Sequence, residues 1–279
     1  MLALPVTQTS PPSAGAIPVL PIDFGNSTGT SAVSRNWSSP SRVATQIFPS
    51  RSSRIESALS ALKPSFDLNL CSTPLDLRIG WLLGWAIPTG WFEPLARAAL
   101  PDADHVFRVP RPGALANLEA EGPFDWVAGY SLGTLLLLGD PARTLRTERV
   151  ALLAPIFAFP LESRLGGTVS RSRLRQLAGW LQREPAAALS DFYSRAGLDI
   201  PAAVPTTAAA EAFAWGLQRL DRDVVAPPMP RGWRGWCGAA DPLLDAARLH
   251  ALDPAIAIVE GATHHPAALL RAFALEAGT

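Results

Sequence analysis

The sequence has few of the residues on which several classes of protein depend. Its 279 residues include two cysteines, too few for a disulfide framework or a thiolate metal site. Basic and acidic side chains number 24 each, so the formal net charge is zero, whereas general nucleic-acid binders usually have a basic excess. No apolar run approaches the roughly 18 residues that cross a bilayer. These absences argue against a disulfide-stabilised protein, a general nucleic-acid binder and a membrane-spanning protein.

The first 72 residues differ in composition from the rest of the chain. They contain 15 of the 21 serines and the only lysine, Lys63. Their apolar residues recur neither with the 3.6-residue period of a helix nor with the two-residue period of a strand. Such a segment buries too little apolar surface to offset the entropy lost on ordering it. We therefore expect residues 1–72 to be a low-complexity, disordered extension, with one edge strand beginning at Phe66–Leu70. A transit peptide and an over-extended gene start are the alternatives. The N-terminus lacks a secretory signal, so we expect a cytoplasmic protein.

From residue 73 onward, apolar runs of strand length alternate with segments of helical spacing. This alternation predicts an α/β domain over residues 73–279, with a mostly parallel sheet flanked by helices. The predicted strands are Ile79–Leu83, His105–Val109, Asp125–Gly129, Val150–Pro155, Arg234–Gly238 and Ala255–Glu260. The predicted helices are Trp91–Leu100, Ala114–Ala120, Leu132–Leu138, Leu243–Leu252 and Pro266–Ala277.

Residues 156–230 interrupt the alternation. They contain predicted helices at Ser172–Arg183 and Ala208–Leu220 but no convincing strand. A connection of about 75 residues is far longer than the usual link between strands, so it needs a role of its own. We interpret it as a helical lid. The apolar face of its first helix, with Leu174, Leu177 and Leu181, is expected to pack on the sheet rather than to line an acyl channel.

A G-x-S-x-G motif marks a candidate nucleophile. It consists of Gly129, Ser131 and Gly133, and its serine lies between a predicted strand and a predicted helix. A serine on such a sharp turn has its hydroxyl exposed at the sheet edge, and the flanking glycines allow close approach of the chain. A second match, Gly25-Asn26-Ser27-Thr28-Gly29, has no helix to follow it and lies in the low-complexity segment. Ser131 is therefore the predicted nucleophile.

A serine nucleophile requires a base, and the base requires an acid that orients it. His264 and His265 follow the last predicted strand, and Asp241 follows the strand before it. Residues at the carboxyl ends of strands gather at the active sites of open α/β sheets. The order of serine, aspartate and histidine is that of α/β-hydrolases. The spacing does not show which of the two histidines is the base. The alternative interpretation of Asp241 is an ordinary turn residue before Pro242.

An acyl-transfer site also needs two backbone N–H groups for the developing oxyanion. One is predicted at Leu132, directly after the nucleophile. The other is predicted at Trp85, in the loop that follows the first predicted strand. This prediction concerns only the Trp85 backbone, and the simplest interpretation of its side chain is packing in the core.

From about Leu77 to its end, the chain resembles the α/β-hydrolase superfamily. Within it, the chain is most similar to the carboxylesterases that demethylate pimeloyl-acyl-carrier-protein methyl ester in biotin synthesis. The matching segments are Leu82–Trp85, Gly129–Gly133, Gly238–Pro242 and Gly261–His264. The resemblance implies that His264 is the base, because the family's histidine comes three residues after the glycine, and that His265 is a neighbour or a lid contact.

The chain also departs from this family. Leu83 replaces a histidine before the oxyanion loop, and Thr134 replaces a glycine after the serine motif. Neither change affects Ser131, Asp241 or His264. Both bear on which substrate is used.

The resemblance implies a serine carboxylesterase that forms an acyl-enzyme and needs no metal or organic cofactor. Its substrate would be a small-molecule or carrier-bound ester, with pimeloyl-acyl-carrier-protein methyl ester as the favoured one. An acyl carrier protein would contact lid arginines such as Arg171 and Arg175, although a solvated helix face explains these arginines equally well. We expect a monomer with no nucleic-acid or membrane partner. An acyltransferase with the same triad and a non-catalytic hydrolase-like binding protein remain as alternatives.

Overall fold

A computed structural model describes residues 77–142, 147 and 149–278. These residues lie within one compact unit, Asp67–Thr279. The predicted edge strand at Phe66–Leu70, the predicted boundary after residue 72 and the second serine motif at 25–29 lie outside the described residues.

Strands and helices alternate along most of the described chain. The strands are β1 (Arg78–Leu82), β2 (Asp104–Arg108), β3 (Trp126–Tyr130), β4 (Val150–Leu153), β5 (Ala158–Pro160), β6 (Gly166–Val169), β7 (Arg234–Gly238) and β8 (Ile256–Val259). The helices are α1 (Thr89–Ala99), α2 (Ala114–Glu121), α3 (Leu132–Gly139), α4 (Arg171–Arg183), α5 (Pro185–Ala196), α6 (Thr207–Arg222), α7 (Ala246–Leu252) and α8 (Pro266–Ala277). None of the helices in this described part is long and apolar enough to cross a membrane.

Six strands form one parallel sheet in the order β2-β1-β3-β4-β7-β8. Every residue of β3 and β4 is buried, as expected for central strands that helices cover on both faces. On one face, α1 packs against α8. Trp81 of β1 joins the two helices, because its ring lies 5.4 Å from that of Phe92 and 5.8 Å from that of Phe273.

The strand order opens a crevice at the carboxyl ends of β1 and β3. The chain leaves β1 to form β2 on one side, and returns to form β3 on the other side of β1. Such a reversal is where open α/β sheets bind their ligands. Leu82 is paired with Gly129 across these two strands. The loop after β1 and the turn after β3 therefore lie side by side.

An insertion, residues 156–230, separates β4 from β7 and contains α4, α5 and α6. Ser170 caps α4 by accepting a hydrogen bond from the Arg173 N–H, and Thr206 caps α6 in the same way through Ala209. Helix α4 packs against α5 and α6, which buries Leu174 and Leu181. The apolar face of α4 thus packs on its neighbouring helices in the insertion, and the prediction that it packs on the sheet is wrong.

The prediction of no strand in residues 156–230 is wrong. β5 and β6 pair in parallel as a separate two-stranded sheet. They are three and four residues long, too short to show the two-residue alternation that identifies strands. A Cβ on Gly167 would lie 1.8 Å from the Phe159 carbonyl oxygen, so the close contact between the two strands requires glycine there.

Helix α7 begins at Ala246, three residues after the predicted start at Leu243. Asp245 caps the helix by accepting a hydrogen bond from the Arg248 N–H at 2.9 Å. The N–H groups of Leu243 and Leu244 instead donate to the Asp241 carboxylate, at 2.8 and 3.2 Å. These two bonds hold the segment before the helix in a turn around Asp241.

His105 of β2 gives the fold a pH-dependent contribution to stability. Its Nδ1 accepts a hydrogen bond from Trp81 Nε1 at 2.9 Å, and its Nε2–H donates to the Leu100 carbonyl at 3.0 Å. Burial lowers the pKa of His105 below its ordinary value of 6.5. As the pH falls below about 6.5, the unfolded chain therefore binds a proton before the folded one, and the free energy of unfolding decreases.

We expect the free energy of unfolding of His105→Gln to decrease less between pH 7 and pH 5 than that of the wild type, because glutamine does not titrate. Urea unfolding of both proteins between pH 7 and pH 5 measures the difference. Equal pH dependence of the two unfolding free energies would contradict the assignment.

Candidate active site

Ser131 occupies a strained turn between β3 and α3. Its backbone has φ 52° and ψ −116°, a conformation that non-glycine residues rarely adopt. The two glycines of the motif permit the turn. A Cβ on Gly133 would lie 1.9 Å from the Leu82 carbonyl oxygen, and one on Gly129 would lie 2.8 Å from Leu137 Cδ1. The G-x-S-x-G spacing is therefore a packing requirement here, because β1 and α3 approach the turn too closely for larger residues.

We expect Gly133→Ala to lower the free energy of unfolding by about 3 kcal/mol or more, because the added methyl group meets backbone atoms that have little freedom to move. Gly139→Ala, at the end of the same helix, is the matched control. A Cβ at Gly139 meets nothing within 4 Å, so this change should be neutral or stabilising by up to about 1 kcal/mol. Urea unfolding compares the two variants, and equal stabilities would refute the packing argument.

The structure brings Ser131, His264 and Asp241 together at the carboxyl ends of β3, β8 and β7. Ser131 Oγ lies 3.1 Å from His264 Nε2. His264 Nδ1 lies 2.7 Å from Asp241 Oδ2. The side chains of His264 and Asp241 are 2% and 0% exposed, so neither contact is shared with bulk solvent. Because the carboxylate only accepts, His264 carries its proton on Nδ1 and leaves Nε2 free to accept the serine proton.

Asp241 and His264 are fixed by the loops that carry them. One carboxylate oxygen of Asp241 accepts the N–H groups of Leu243 and Leu244, which leaves the other for His264. The N–H of Ala240 donates to the Ala262 carbonyl at 2.9 Å. A Cβ on Gly238 would lie 2.5 Å from the Ala262 carbonyl oxygen, so the two loops pack in direct contact.

His265 faces a different set of residues. Its ring packs edge-on against Trp91 at 5.2 Å, and its Nε2 lies 3.4 Å from Asp199 of the insertion. Its Nδ1 accepts a hydrogen bond from the Ala267 N–H and so caps α8. His264 is therefore the histidine beside Ser131, whereas His265 faces Trp91 and Asp199. The residue spacing alone did not distinguish the two.

The loop after β1 presents the predicted oxyanion amide. Ile87 N–H donates to the Gly84 carbonyl at 3.3 Å, which closes a turn around Trp85 and Ala86. The turn's own hydrogen bond does not use the N–H of Trp85. The Trp85 side chain is buried, and its Nε1 donates to the Phe213 carbonyl of α6 at 2.8 Å. Leu132, the second predicted amide, is the first residue of α3, where backbone N–H groups lack intrahelical acceptors.

Two further side chains support the site. Tyr130 carried no signal in the sequence, and Thr134 was noted there only as a departure that leaves the triad unaffected. The Tyr130 hydroxyl donates to the His264 carbonyl at 2.7 Å. Burial raises the pKa of Tyr130 well above its ordinary value, and the Asp241 carboxylate adds to this, so the hydroxyl keeps its proton. Thr134 donates from Oγ1 to the Ser131 carbonyl at 2.7 Å and accepts from the Ile156 N–H at 2.9 Å. The threonine that departs from the family pattern thus ties the serine turn to the chain after β4.

The two arginines predicted to contact a carrier protein have different surroundings. Arg171 pairs with Asp221 of α6, and Nη1 also donates to the Asp221 carbonyl. Arg175 is exposed and forms no ion pair with the described residues. In the same described part, no group of three or more His, Cys, Asp or Glu side chains is arranged to hold a metal ion.

Comparisons with known proteins agree with this architecture. No model of a known protein family matches the chain, and no curated protein is detectably similar in sequence. Solved structures do match. The bottromycin epimerase BotH, solved with bottromycin A2, has a TM-score of 0.51 at 18% identity, over 73% of this chain and 90% of its own.

Two hydrolases superpose less well. A thermophilic esterase from Thermogutta terrifontis has a TM-score of 0.48 at 15% identity, over 73% of this chain and 91% of its own. An α/β hydrolase from Sphaerobacter thermophilus has a TM-score of 0.47 at 19% identity, over 73% and 93%. The strand order of the parallel sheet and the helical insertion between β4 and β7 are those of the α/β-hydrolase fold. The predicted fold class is confirmed, including the parallel sheet and the helical insertion of the α/β-hydrolase fold. Likeness at these identities extends to the fold and not to a reaction.

Proposed function

We propose that the protein is a serine hydrolase that cleaves carboxylic esters through an acyl-enzyme. The observation that carries this proposal is the continuous hydrogen-bonded arrangement of Ser131, His264 and Asp241 on a strained strand-to-helix turn. A buried histidine between a serine and a carboxylate is the arrangement that activates a serine hydroxyl. Since a fold alone does not determine a reaction, the proposal rests on this geometry.

In the first half-reaction, Ser131 Oγ attacks the ester carbonyl carbon while its proton passes to His264 Nε2. Asp241 stabilises the imidazolium through the Nδ1–H bond. The carbonyl oxygen becomes an oxyanion, which the N–H groups of Leu132 and Trp85 would bind. The tetrahedral intermediate then loses its alcohol, which takes the proton from His264. The products are an acyl-Ser131 ester and the free alcohol.

In the second half-reaction, water attacks the acyl-enzyme. His264 takes a proton from the water and returns it to Ser131 Oγ as the acid leaves. Tyr130 and Thr134 contact the backbone of His264 and Ser131, so their part in both steps is to hold these two residues in position. This scheme balances protons without a metal or organic cofactor.

Stopped-flow hydrolysis of p-nitrophenyl acetate tests the proposal. A burst of p-nitrophenol equal to the enzyme concentration, with acetyl-Ser131 detected by mass spectrometry after acid quenching, is the expected result when deacylation is slow. Steady hydrolysis with no acyl adduct in any quenched sample, combined with full activity of Ser131→Ala, would overturn it. Addition of an alcohol or thiol distinguishes an acyltransferase, in which acyl transfer outruns hydrolysis.

The resemblance of the sequence motifs favours pimeloyl-acyl-carrier-protein methyl ester as the substrate. Arg175 is the better candidate for a carrier contact, because Arg171 is paired with Asp221. Rescue of a biotin auxotroph that lacks its own esterase tests this finer proposal. Well-expressed protein that fails to rescue growth would leave an ester hydrolase that acts on a different substrate.

A further inference from the structure

A cavity of about 420 Å³ lies between the loop after β1 and the insertion. Its inner wall includes Gly84 and Trp85, the residues at the predicted oxyanion amide. Gly84 in turn adjoins the serine turn, because a Cβ on it would lie 3.2 Å from Ser131 Cβ. The other walls come from the segment after β2, from α5 and α6, and from the chain between those helices. Ser131 itself does not line the cavity, which adjoins the serine turn through the loop that carries Gly84 and Trp85.

The chemistry of the lining excludes several kinds of ligand. Three side chains on the lining carry a hydrogen-bonding group, namely Trp85, Tyr193 and Arg111. The Trp85 Nε1–H is already used by the Phe213 carbonyl. The Tyr193 hydroxyl already donates to the Ala86 carbonyl at 2.6 Å, and burial raises the pKa of Tyr193 to about 12. None of the described residues on this lining is acidic. A cationic arm would find no counter-charge, and a sugar would find almost no hydrogen-bonding partners.

Arg111 is the one charged group on the lining. It is exposed and pairs with none of the described residues, so its guanidinium is available to a ligand. Its carbonyl accepts the Ala114 N–H at 3.0 Å, which anchors its backbone to the start of α2. Two apolar residues of the lining, Val109 and Val204, are 38% and 76% exposed. An apolar cavity with a single free guanidinium matches a chain that is apolar along its length and anionic at its end.

We propose that the substrate is an ester with an apolar arm that ends in a carboxylate, and that Arg111 binds this carboxylate while the arm fills the cavity. The inference rests on the proposed ester hydrolysis. Each methylene that enters the cavity is expected to raise kcat/KM up to about fourfold. The ion pair at the exposed Arg111 is expected to add up to about fivefold, because solvent screens it.

A matched pair of esters tests the acyl arm. The p-nitrophenyl monoester of suberic acid and p-nitrophenyl octanoate have the same chain length and differ only in a carboxylate or a methyl end. Arg111→Gln should lower kcat/KM about fivefold for the suberate ester and leave the octanoate value within twofold. Arg231→Gln is the control, because Arg231 is exposed and absent from the cavity lining. Arg111→Glu should reverse the preference toward the p-nitrophenyl ester of 8-aminooctanoic acid.

A second pair tests the alcohol arm. Acid release from the acetate esters of 8-hydroxyoctanoic acid and of octanol is followed in a pH-stat with the same variants. A selective Arg111 effect in either series supports the proposal, and the series in which it occurs identifies the arm. An equal effect of Arg111→Gln on both members of each pair, or none on any, overturns the proposal while ester hydrolysis stands. Wild-type protein that hydrolyses none of the four esters would instead overturn the proposed function, and this inference with it.

Discussion

Replacing Ser131 by alanine is expected to lower kcat/KM for ester hydrolysis by a factor of roughly 10⁴–10⁶, the range typical of the loss of a triad nucleophile. In the proposed mechanism the hydroxyl forms the covalent bond, and its side-chain partner among the described residues is His264. Alanine adopts the same strained backbone conformation about as well as serine, so we expect the fold to persist. Steady-state kinetics with p-nitrophenyl octanoate, on protein whose unfolding midpoint is measured in parallel, provides the test.

Ser27→Ala is the matched control for the choice of serine motif. Ser27 belongs to the second G-x-S-x-G match, which lies in the low-complexity segment of the sequence. This change should leave kcat/KM unaltered. Loss of activity in Ser27→Ala together with retention in Ser131→Ala would show that Ser27, and not Ser131, is the nucleophile.

The second large effect is expected at His264, and it should contrast with its neighbour. His264→Ala removes the only described side chain that contacts both Ser131 and Asp241, so we expect a loss of roughly 10³-fold or more in kcat/KM. His265→Ala removes a helix cap and a contact with Asp199, and we expect less than a tenfold change in kcat/KM. The same p-nitrophenyl assay measures both variants.

Thermal unfolding tests separately whether His265 acts as a helix cap. His265→Ala should lower the free energy of unfolding by about 1 kcal/mol, the usual cost of losing a helix cap. A large kinetic loss in His265→Ala with near-normal activity in His264→Ala would reverse the assignment of the base.

Much of the architecture could be predicted from local patterns. The runs that became the central strands β3 and β4 are almost wholly apolar, because a parallel sheet covered on both faces requires apolar side chains on both of them. The edge strand β2 is more polar and was identified from its place in the alternation. The glycines around Ser131 were informative for a similar reason, since both positions lack space for a Cβ. In each case the residues that determine the local structure lie within one short stretch of the sequence.

Features that depend on distant partners could not be predicted. β5 and β6 are stabilised by each other and by a close approach at Gly167, which no window of the sequence reveals. The contact of Tyr130 with His264 joins residues 134 positions apart. The choice of His264 over His265 came from resemblance, since adjacent residues have nearly the same spacing from every motif. Only the arrangement of the loops after β7 and β8 distinguishes them physically.

The two substrate proposals make different demands on the same cavity. A carrier-bound methyl ester has no free carboxylate at the far end of its acyl chain, so its hydrolysis should be insensitive to Arg111→Gln. An ester with a free carboxylate should depend on Arg111 and be insensitive to Arg175→Gln. Parallel assays of these two variants on both kinds of ester therefore separate the proposals without further structural work.

The most direct test of the central claim is labelling by a fluorophosphonate, which phosphonylates an activated serine and loses fluoride. Folded wild-type protein should gain one adduct, located by peptide mass spectrometry on Ser131. His264→Ala should label far more slowly, and Ser131→Ala should not label. Folded wild-type protein that remains unlabelled, or an adduct on any serine other than Ser131, would contradict the account.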